Sequence, residues 1–251
     1  MIELREDWEF NVLGVYNFRK PGPFDAYYQY IKDNHSRIEG DILEAGVYRG
    51  SSLLATALLL KELNSSKKVY GFDSFSGFPP VYHDNDNIDK FDELAQEGRI
   101  TSKHLAAVKR NKRWRENFME TTATVSNISS SSNFSQTSLE LVQSKIELLE
   151  LDNIVLVEGD FEDTMKGQNP PEKIMCTMMD CDLYESYLTT FGFVWPRLSI
   201  NGLIYLDEYY SLKFPGAKIA TDEFLADVDA ELCMAPLKEG DFERWYISKK
   251  R

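Results

Sequence analysis

Two apolar runs of strand length, IMCTMM at 174–179 and GLIYL at 202–206, both end in acidic residues: Asp180 and Asp182 after the first, Asp207 and Glu208 after the second. Runs this short and this continuously apolar suit strands covered on both faces, as in a parallel sheet flanked by helices. Neighbouring parallel strands bring their carboxyl ends to one edge, and in an open α/β sheet that edge is the ligand crevice. The four carboxylates are therefore expected to converge.

Upstream the same alternation repeats. GDILEAGV reads as a strand, YRGSS as a turn and LLATALLLKEL as a helix. KKVYGFDSF is a second strand ending at Asp73, and the helical SLELVQSKIELLEL leads into NIVLVEGDF, a third strand ending at Glu158 and Asp160. A helix from about Leu183 to Leu198 separates the two runs of the opening, and a last helix is expected over Ala217 to Leu232. ELCMAPLKEGDFERWYISKK then reads as two strands around a Lys238 to Asp241 turn. Five strands with helical crossovers and a terminal hairpin describe an α/β fold, a doubly wound and mostly parallel seven-stranded Rossmann-like sheet with an antiparallel C-terminal hairpin. At 251 residues this fills one domain.

Two stretches stand outside the pattern. Residues 1–40 are rich in aromatics, with a helix expected from about Phe24 to Asp33; the rings either pack on the core or form a subunit interface. Residues 82–138 are polar, serine-rich between Ser126 and Ser138, and long enough to suggest a lid-like insertion. They carry Lys103, Lys109, Arg110, Lys112, Arg113 and Arg115, which are either a solvated helix face or a funnel for an anionic acceptor.

The net charge of −13, from 28 basic and 41 acidic residues, argues against nucleic acid as a partner, since phosphate contacts need a basic face. No apolar run approaches the length of a membrane span, and MIELREDWEF lacks the layout of a secretory signal, so a cytoplasmic protein is expected. The three cysteines, Cys176, Cys181 and Cys233, suit reduced thiols better than a disulfide or a zinc site. A homo-oligomer is expected.

The turn EAGVYRGSS matches neither the dinucleotide fingerprint nor the phosphate-cradling P-loop, and Glu44 before it would repel a pyrophosphate. A cofactor with a cationic amine fits better. S-adenosylmethionine would set its ammonium toward Glu44, with Gly46 and Gly50 allowing close approach and Tyr48, Ser51 and Ser52 completing the turn. Asp73, followed by Ser74, is placed for the ribose hydroxyls; Asp160, followed by Phe161, is placed for the adenine amine. Each acidic strand end can equally cap the helix that follows.

The segments LEAGVYRGSS, GFDSFSGFP, VEGDFEDT, MDCDLYES, LxxNGLIYLDEY and PGAKIATDEF together resemble the macrocin O-methyltransferase family of class I methyltransferases, over most of the chain from Glu44 to Phe224. The resemblance implies methyl transfer from S-adenosylmethionine to a sugar hydroxyl of a glycan, nucleotide sugar or glycosylated natural product, with Asp180, Asp207 and Glu208 at the family's metal positions. The family has two aspartates where this chain has Asp207 and Glu208, which lengthens one ligand arm. Oxygen-only ligands select a hard ion, magnesium first and manganese or calcium second. Asp180 or Asp182 is the expected general base, Asp180 favoured by its family position, and Asp182 can also cap the following helix. Tyr184, Tyr209 and Tyr210 either line a sugar site or pack the core, and His83 and His104 can approach the acceptor. Rival readings are a metal-independent or N-directed methyltransferase, and a cofactor-binding subunit without activity.

Overall fold

The computed structural model describes residues 4–166, 170–237 and 242–250. The chain opens with α1 (Asp7–Leu13) and α2 (Asp25–Asn34), then alternates β1 (Asp41–Ala45), α3 (Ser51–Glu62) and β2 (Val69–Asp73). An excursion carrying α4 (Lys90–Gln96) and α5 (Ser102–Met119) follows, before α6 (Leu139–Leu148), β3 (Ile154–Glu158), α7 (Phe161–Thr164) and β4 (Ile174–Met179). The chain ends with α8 (Tyr184–Arg197), β5 (Leu198–Leu206), α9 (Pro215–Asp227), β6 (Ala230–Met234) and β7 (Trp245–Lys249).

The strands form one sheet in the order β3-β2-β1-β4-β5-β7-β6. β1 to β5 are parallel, and β7 runs antiparallel between β5 and β6. Strand order reverses between β1 and β4, which places the ligand crevice beyond their carboxyl ends. Successive side chains of each strand face opposite ways. Ile42, Met178 and Tyr205 therefore join the core beneath α3 and the N-terminal helices, while Leu43, Met179 and Leu206 join the core beneath α8 and α9.

α3 is buried at every position from Ser52 to Leu60, because the sheet covers one side and the N-terminal segment the other. The aromatics of that segment are core: Phe24 and Tyr27 pack on Tyr205, whose hydroxyl donates to the Pro23 carbonyl at 2.7 Å. Trp8 and Tyr16 are exceptions and are exposed.

The last helix differs from expectation. It starts two residues earlier, where Pro215 occupies the first turn and lacks only an N–H that would be unpaired there. It stops at Asp227, because Ala230 to Met234 pair with β7 and Leu232 belongs to that strand. The expected Lys238 to Asp241 turn lies outside the described residues. Among the described residues, no helix is long and apolar enough to cross a membrane.

The excursion is a packed cap with its own core. Phe91, Leu94, Val108 and Ile128 are buried against Leu183, Phe214 and Ile219 of the main domain. Polar anchors add to this: Arg99 pairs with Asp222 at 2.7 Å, and Asp86 Oδ1 accepts the Tyr184 N–H at 2.8 Å, capping α8 from outside its own segment.

Candidate active site

The sheet ladder runs one residue past the strands and fixes the carboxylates. The Asp180 N–H donates to Ala45 O at 2.9 Å, and the Asp207 N–H donates to Met179 O at 3.0 Å. One carboxylate oxygen each from Asp180, Asp207 and Glu208 lies within 4.8 Å of the others. Asp182 sits beside them, 4% exposed, with a positive φ of 58° and with Oδ1 unpartnered among the described residues. Asp180 and Asp207 approach within hydrogen-bonding reach of each other, as do Asp182 and Glu208.

Crowding four acids in a buried place resists their ionisation. Burial, then the neighbouring Asp207, Asp182 and Glu208, pushes Asp180 well above the usual carboxylate range. Asp182 rises likewise through burial and Glu208, against the opposing charge of Lys213. Asp207 is pushed up to about 6 by burial and Glu208. An arrangement that is unfavourable alone and oxygen-only suits a divalent cation, whose charge reverses each of these shifts.

A cleft of about 790 Å³ opens from this cluster, enough for a nucleoside-sized cofactor and part of an acceptor. Gly46, Tyr48, Ser51, Ser52, Asp73, Ser74, Asp160 and Phe161 line it together with Asp180, Asp182, Asp207 and Glu208. Two expected cofactor residues lie behind its wall. At Gly50 an added Cβ would meet Val142 and Leu54. Glu44 is fully buried, accepts from Ser52 Oγ at 2.7 Å, and is pushed up to about 8 by burial. Its Oε2 has no partner among the described residues.

The glycine turn is built for the sheet as much as for a ligand. A Cβ on Gly46 would lie 1.9 Å from the Asp180 carbonyl oxygen, so the first glycine lets β1 and β4 meet at the switch point. Asp73 braces the same turn: Oδ2 accepts the N–H groups of Val47 at 2.7 Å and Tyr48 at 2.8 Å, and Oδ1 accepts that of Phe75 at 2.6 Å. Asp160 caps α7 through the Glu162 N–H at 2.9 Å.

The opposite wall comes from the cap and the segment before it: Phe78, Tyr82, His83 and Ser129 to Ser131. The serine-rich tract is anchored here. Phe134 packs on Phe78 and Tyr48, and the Asn133 carbonyl accepts the Phe78 N–H at 2.8 Å. His83 stacks on Tyr184 at 4.4 Å and accepts the Asn85 N–H through Nδ1 at 3.1 Å. Of the other candidate rings, Tyr209 packs on Trp245 and Tyr210 on His104. His104 is buried against the Ser211 carbonyl, 2.8 Å away, and serves to position that loop.

In the basic cluster, Lys109 pairs with Asp92 at 2.6 Å and Lys112 with Asp89 at 3.0 Å, both within the cap. Arg115 donates to the Asn127 and Ser129 carbonyls, holding the tract that lines the cleft. Two cleft residues carried no signal in the sequence. Tyr16, from the N-terminal segment, has its hydroxyl pushed up to about 12 by burial and by Asp180 and Asp207. Lys213 has its ammonium 3.3 Å from Glu208 Oε1. Burial alone would weaken that ammonium, but Glu208 and Asp182 outweigh it and raise its pKa.

Comparison with known proteins gives a consistent picture. The chain matches the macrocin O-methyltransferase (TylF) family over residues 28–120 and 119–246. It is 28% identical over 173 residues to the 8-demethyl-8-(2,3-dimethoxy-alpha-L-rhamnosyl)-tetracenomycin-C 4'-O-methyltransferase of Streptomyces olivaceus, covering 68% of this chain and 54% of that protein. It is 27% identical over 190 residues to the mycinamicin III 3''-O-methyltransferase of Micromonospora griseorubida, covering 74% and 61%. The matched region thus spans little more than half the length of these relatives. Among solved structures, the O-methyltransferase NovP superposes with a TM-score of 0.64 at 22% identity, covering 91% of this chain and 79% of that one. CalS11, a calicheamicin methyltransferase, gives 0.59 at 23%, covering 90% and 76%. These two likenesses show the class I methyltransferase fold.

Proposed function

Since the chain belongs to the macrocin O-methyltransferase family, we propose that it moves a methyl group from S-adenosylmethionine to a sugar hydroxyl of a glycan, nucleotide sugar or glycosylated natural product, with a divalent cation, magnesium first, at Asp180, Asp207 and Glu208. The observation that carries this reading is the meeting of those three carboxylates at the carboxyl ends of β4 and β5, beside the strand-order reversal, on the floor of a cleft of suitable size. The relative whose name carries a rhamnosyl group, and the relative named for O-methylation of mycinamicin III, support the acceptor class.

The reaction forms one O–CH3 bond, breaks one S–CH3 bond and releases the hydroxyl proton. S-adenosylmethionine supplies the methyl on a sulfonium, and a divalent cation, when bound, lowers the pKa of a coordinated oxygen and orients it. This chain's residues do the rest. Asp73 holds the glycine turn rigid at the ribose position, and Asp160 fixes the start of α7 at the adenine end. Glu44, sealed behind Ser52, acts on the cofactor amine through that hydroxyl or a water and not by direct contact. The proton goes to a carboxylate at the floor. Asp182 suits the role better than Asp180, because its buried Oδ1 lacks a partner among the described residues and it stands outside the three-carboxylate group. The cap and the segment before it supply the wall opposite these carboxylates, through Phe78, Tyr82 and His83.

The test is methyl transfer from labelled S-adenosylmethionine to a panel of nucleotide sugars and glycosides, with and without a chelator. Transfer that needs magnesium and fails in Asp180→Asn is the expected result. Transfer that survives both would overturn the metal mechanism; absence of cofactor binding by calorimetry would overturn the reading altogether.

A further inference from the structure

Lys213 is a charged residue of the floor that the methyl-transfer reading does not use. Its place is built. The Ser211 hydroxyl accepts the N–H groups of both Lys213, at 3.0 Å, and Phe214, at 3.1 Å, and the Ser211 N–H donates to the Glu208 carbonyl at 3.0 Å. From the cap, His104 holds the Ser211 carbonyl and Asn111 Nδ2 donates to the Leu212 carbonyl at 3.3 Å. The ammonium lies over the Phe214 ring, 5.1 Å from its centroid, and 3.3 Å from Glu208 Oε1. It lies close enough to Asp182, Asp207 and Asp180 for its charge to act on each.

Glu208 is 5% exposed and has two obligations. Its carboxylate belongs to the group that can hold a cation, and the same carboxylate faces Lys213 through Oε1. An aspartate, one methylene shorter, could not serve both places from the same backbone position. A fixed ammonium and a divalent ion beside the same carboxylates repel one another, so each must lower the other's hold on the shared ligand.

We propose that Lys213 is a resident counter-cation of this site, competing with the divalent ion for Glu208, so that Glu208 is a shared ligand and Lys213 sets how tightly the ion is held. The inference rests on the proposed metal site. It makes Lys213 a positioning residue, acting through Glu208, and it explains the glutamate: the longer arm suits a carboxylate that divides itself between two cations.

Manganese titrated into the full chain at fixed pH, without cofactor or acceptor, tests this by calorimetry and by electron paramagnetic resonance of the free ion. Lys213→Met is expected to lower the manganese Kd about tenfold, and Lys213→Arg, which keeps the charge, to leave it near the wild-type value. Glu208→Asp, whose shorter arm abandons the ammonium, is expected to tighten binding too, with Lys213→Met adding less on top of it than it does in wild type. A Lys213→Met Kd within twofold of wild type, or a weaker one, overturns the competition while leaving the metal site standing. No saturable binding in wild type, Lys213→Met or Glu208→Asp, or binding that Asp180→Asn does not alter, overturns the metal site itself. Circular dichroism checks the fold of each variant; should Lys213→Met fail to fold, Glu208→Asp alone decides, its Kd falling if Glu208 is shared and rising or holding if it is not.

Discussion

The floor and the cap wall of the cleft are held in place by different physics. On the floor, Asp180 and Asp207 are positioned by backbone hydrogen bonds that continue the sheet ladder, so their carboxylates stay together although their charges oppose it. In the cap, His83, Tyr82 and Ser129 are positioned by side chains far apart in sequence: Phe91 and Val108 against Phe214, Asp86 against the start of α8, Arg99 against Asp222. A scaffold of main-chain bonds tolerates unfavourable side chains, and a site can be placed on it at a cost in stability. A scaffold of side-chain packing has no such margin. Substitutions on the floor should therefore change chemistry with little loss of stability, and substitutions in the cap should do the reverse.

The largest expected effect is on the floor. Asp180→Asn should lower methyl transfer roughly a thousandfold, the several kcal/mol that a metal supplies, while leaving the melting temperature unchanged or higher, since a carboxylate crowded by three others is removed. A melting temperature that falls steeply would break the contrast. In the cap, Phe91→Ala should cost roughly 3 kcal/mol of stability from the lost ring and the cavity it leaves, with S-adenosylhomocysteine binding retained. Loss of that binding along with the cap would mean that floor and wall unfold as one unit.

Asp73 lies between these cases, because it is on a strand end yet spends its carboxylate on the Val47, Tyr48 and Phe75 N–H groups. Asp73→Ala should weaken S-adenosylhomocysteine binding by about 1–3 kcal/mol, through the donors left unpaired as well as any lost ribose contact. An unchanged dissociation constant would refute its place in the cofactor site.

The same division explains what could be read from the sequence. Strand-end acids were readable because a parallel sheet aligns its carboxyl edges whatever the helices do, which brought Asp73, Asp160, Asp180, Asp207 and Glu208 to one cleft. The edge does not say which way a side chain faces, and Glu44, at a strand end like the others, points into the core with Ser52. Lys213 had no pattern to announce it: its place depends on the Ser211 turn and on His104, 107 residues upstream of the carbonyl it binds. The cap's fold was equally hidden, because Ile88, Phe91, Leu94 and Val108 become a core only once Leu183, Phe214 and Ile219 are beside them. The last helix was extended too far for a related reason, the pairing of Leu232 with Ile247 overriding a helical reading of that stretch.

The smallest expected effect is the response of the buried acids to pH. Asp86 in the cap and Asp207 on the floor are each pushed up to about 6, and Glu44 to about 8, in every case by burial first. A carboxyl with a raised pKa in the fold adds stability that is complete below its ordinary value, 4.5 for a glutamate, and is lost as pH rises through the raised one. Stability of the cofactor-free protein should thus fall from about pH 4 upward, the Asp86 and Asp207 share being spent by about pH 6 and the Glu44 share by about pH 8. Glu44→Gln removes only the Glu44 share of that loss, roughly 1 kcal/mol between pH 7 and 9 from one titrating group, and leaves whatever Asp180 and Asp182, also raised by burial, contribute. Urea unfolding of wild type and Glu44→Gln at those two pH values measures it. Parallel losses in the two proteins would show that Glu44 does not ionise within the fold in that range, and the loss would then have to belong to another group.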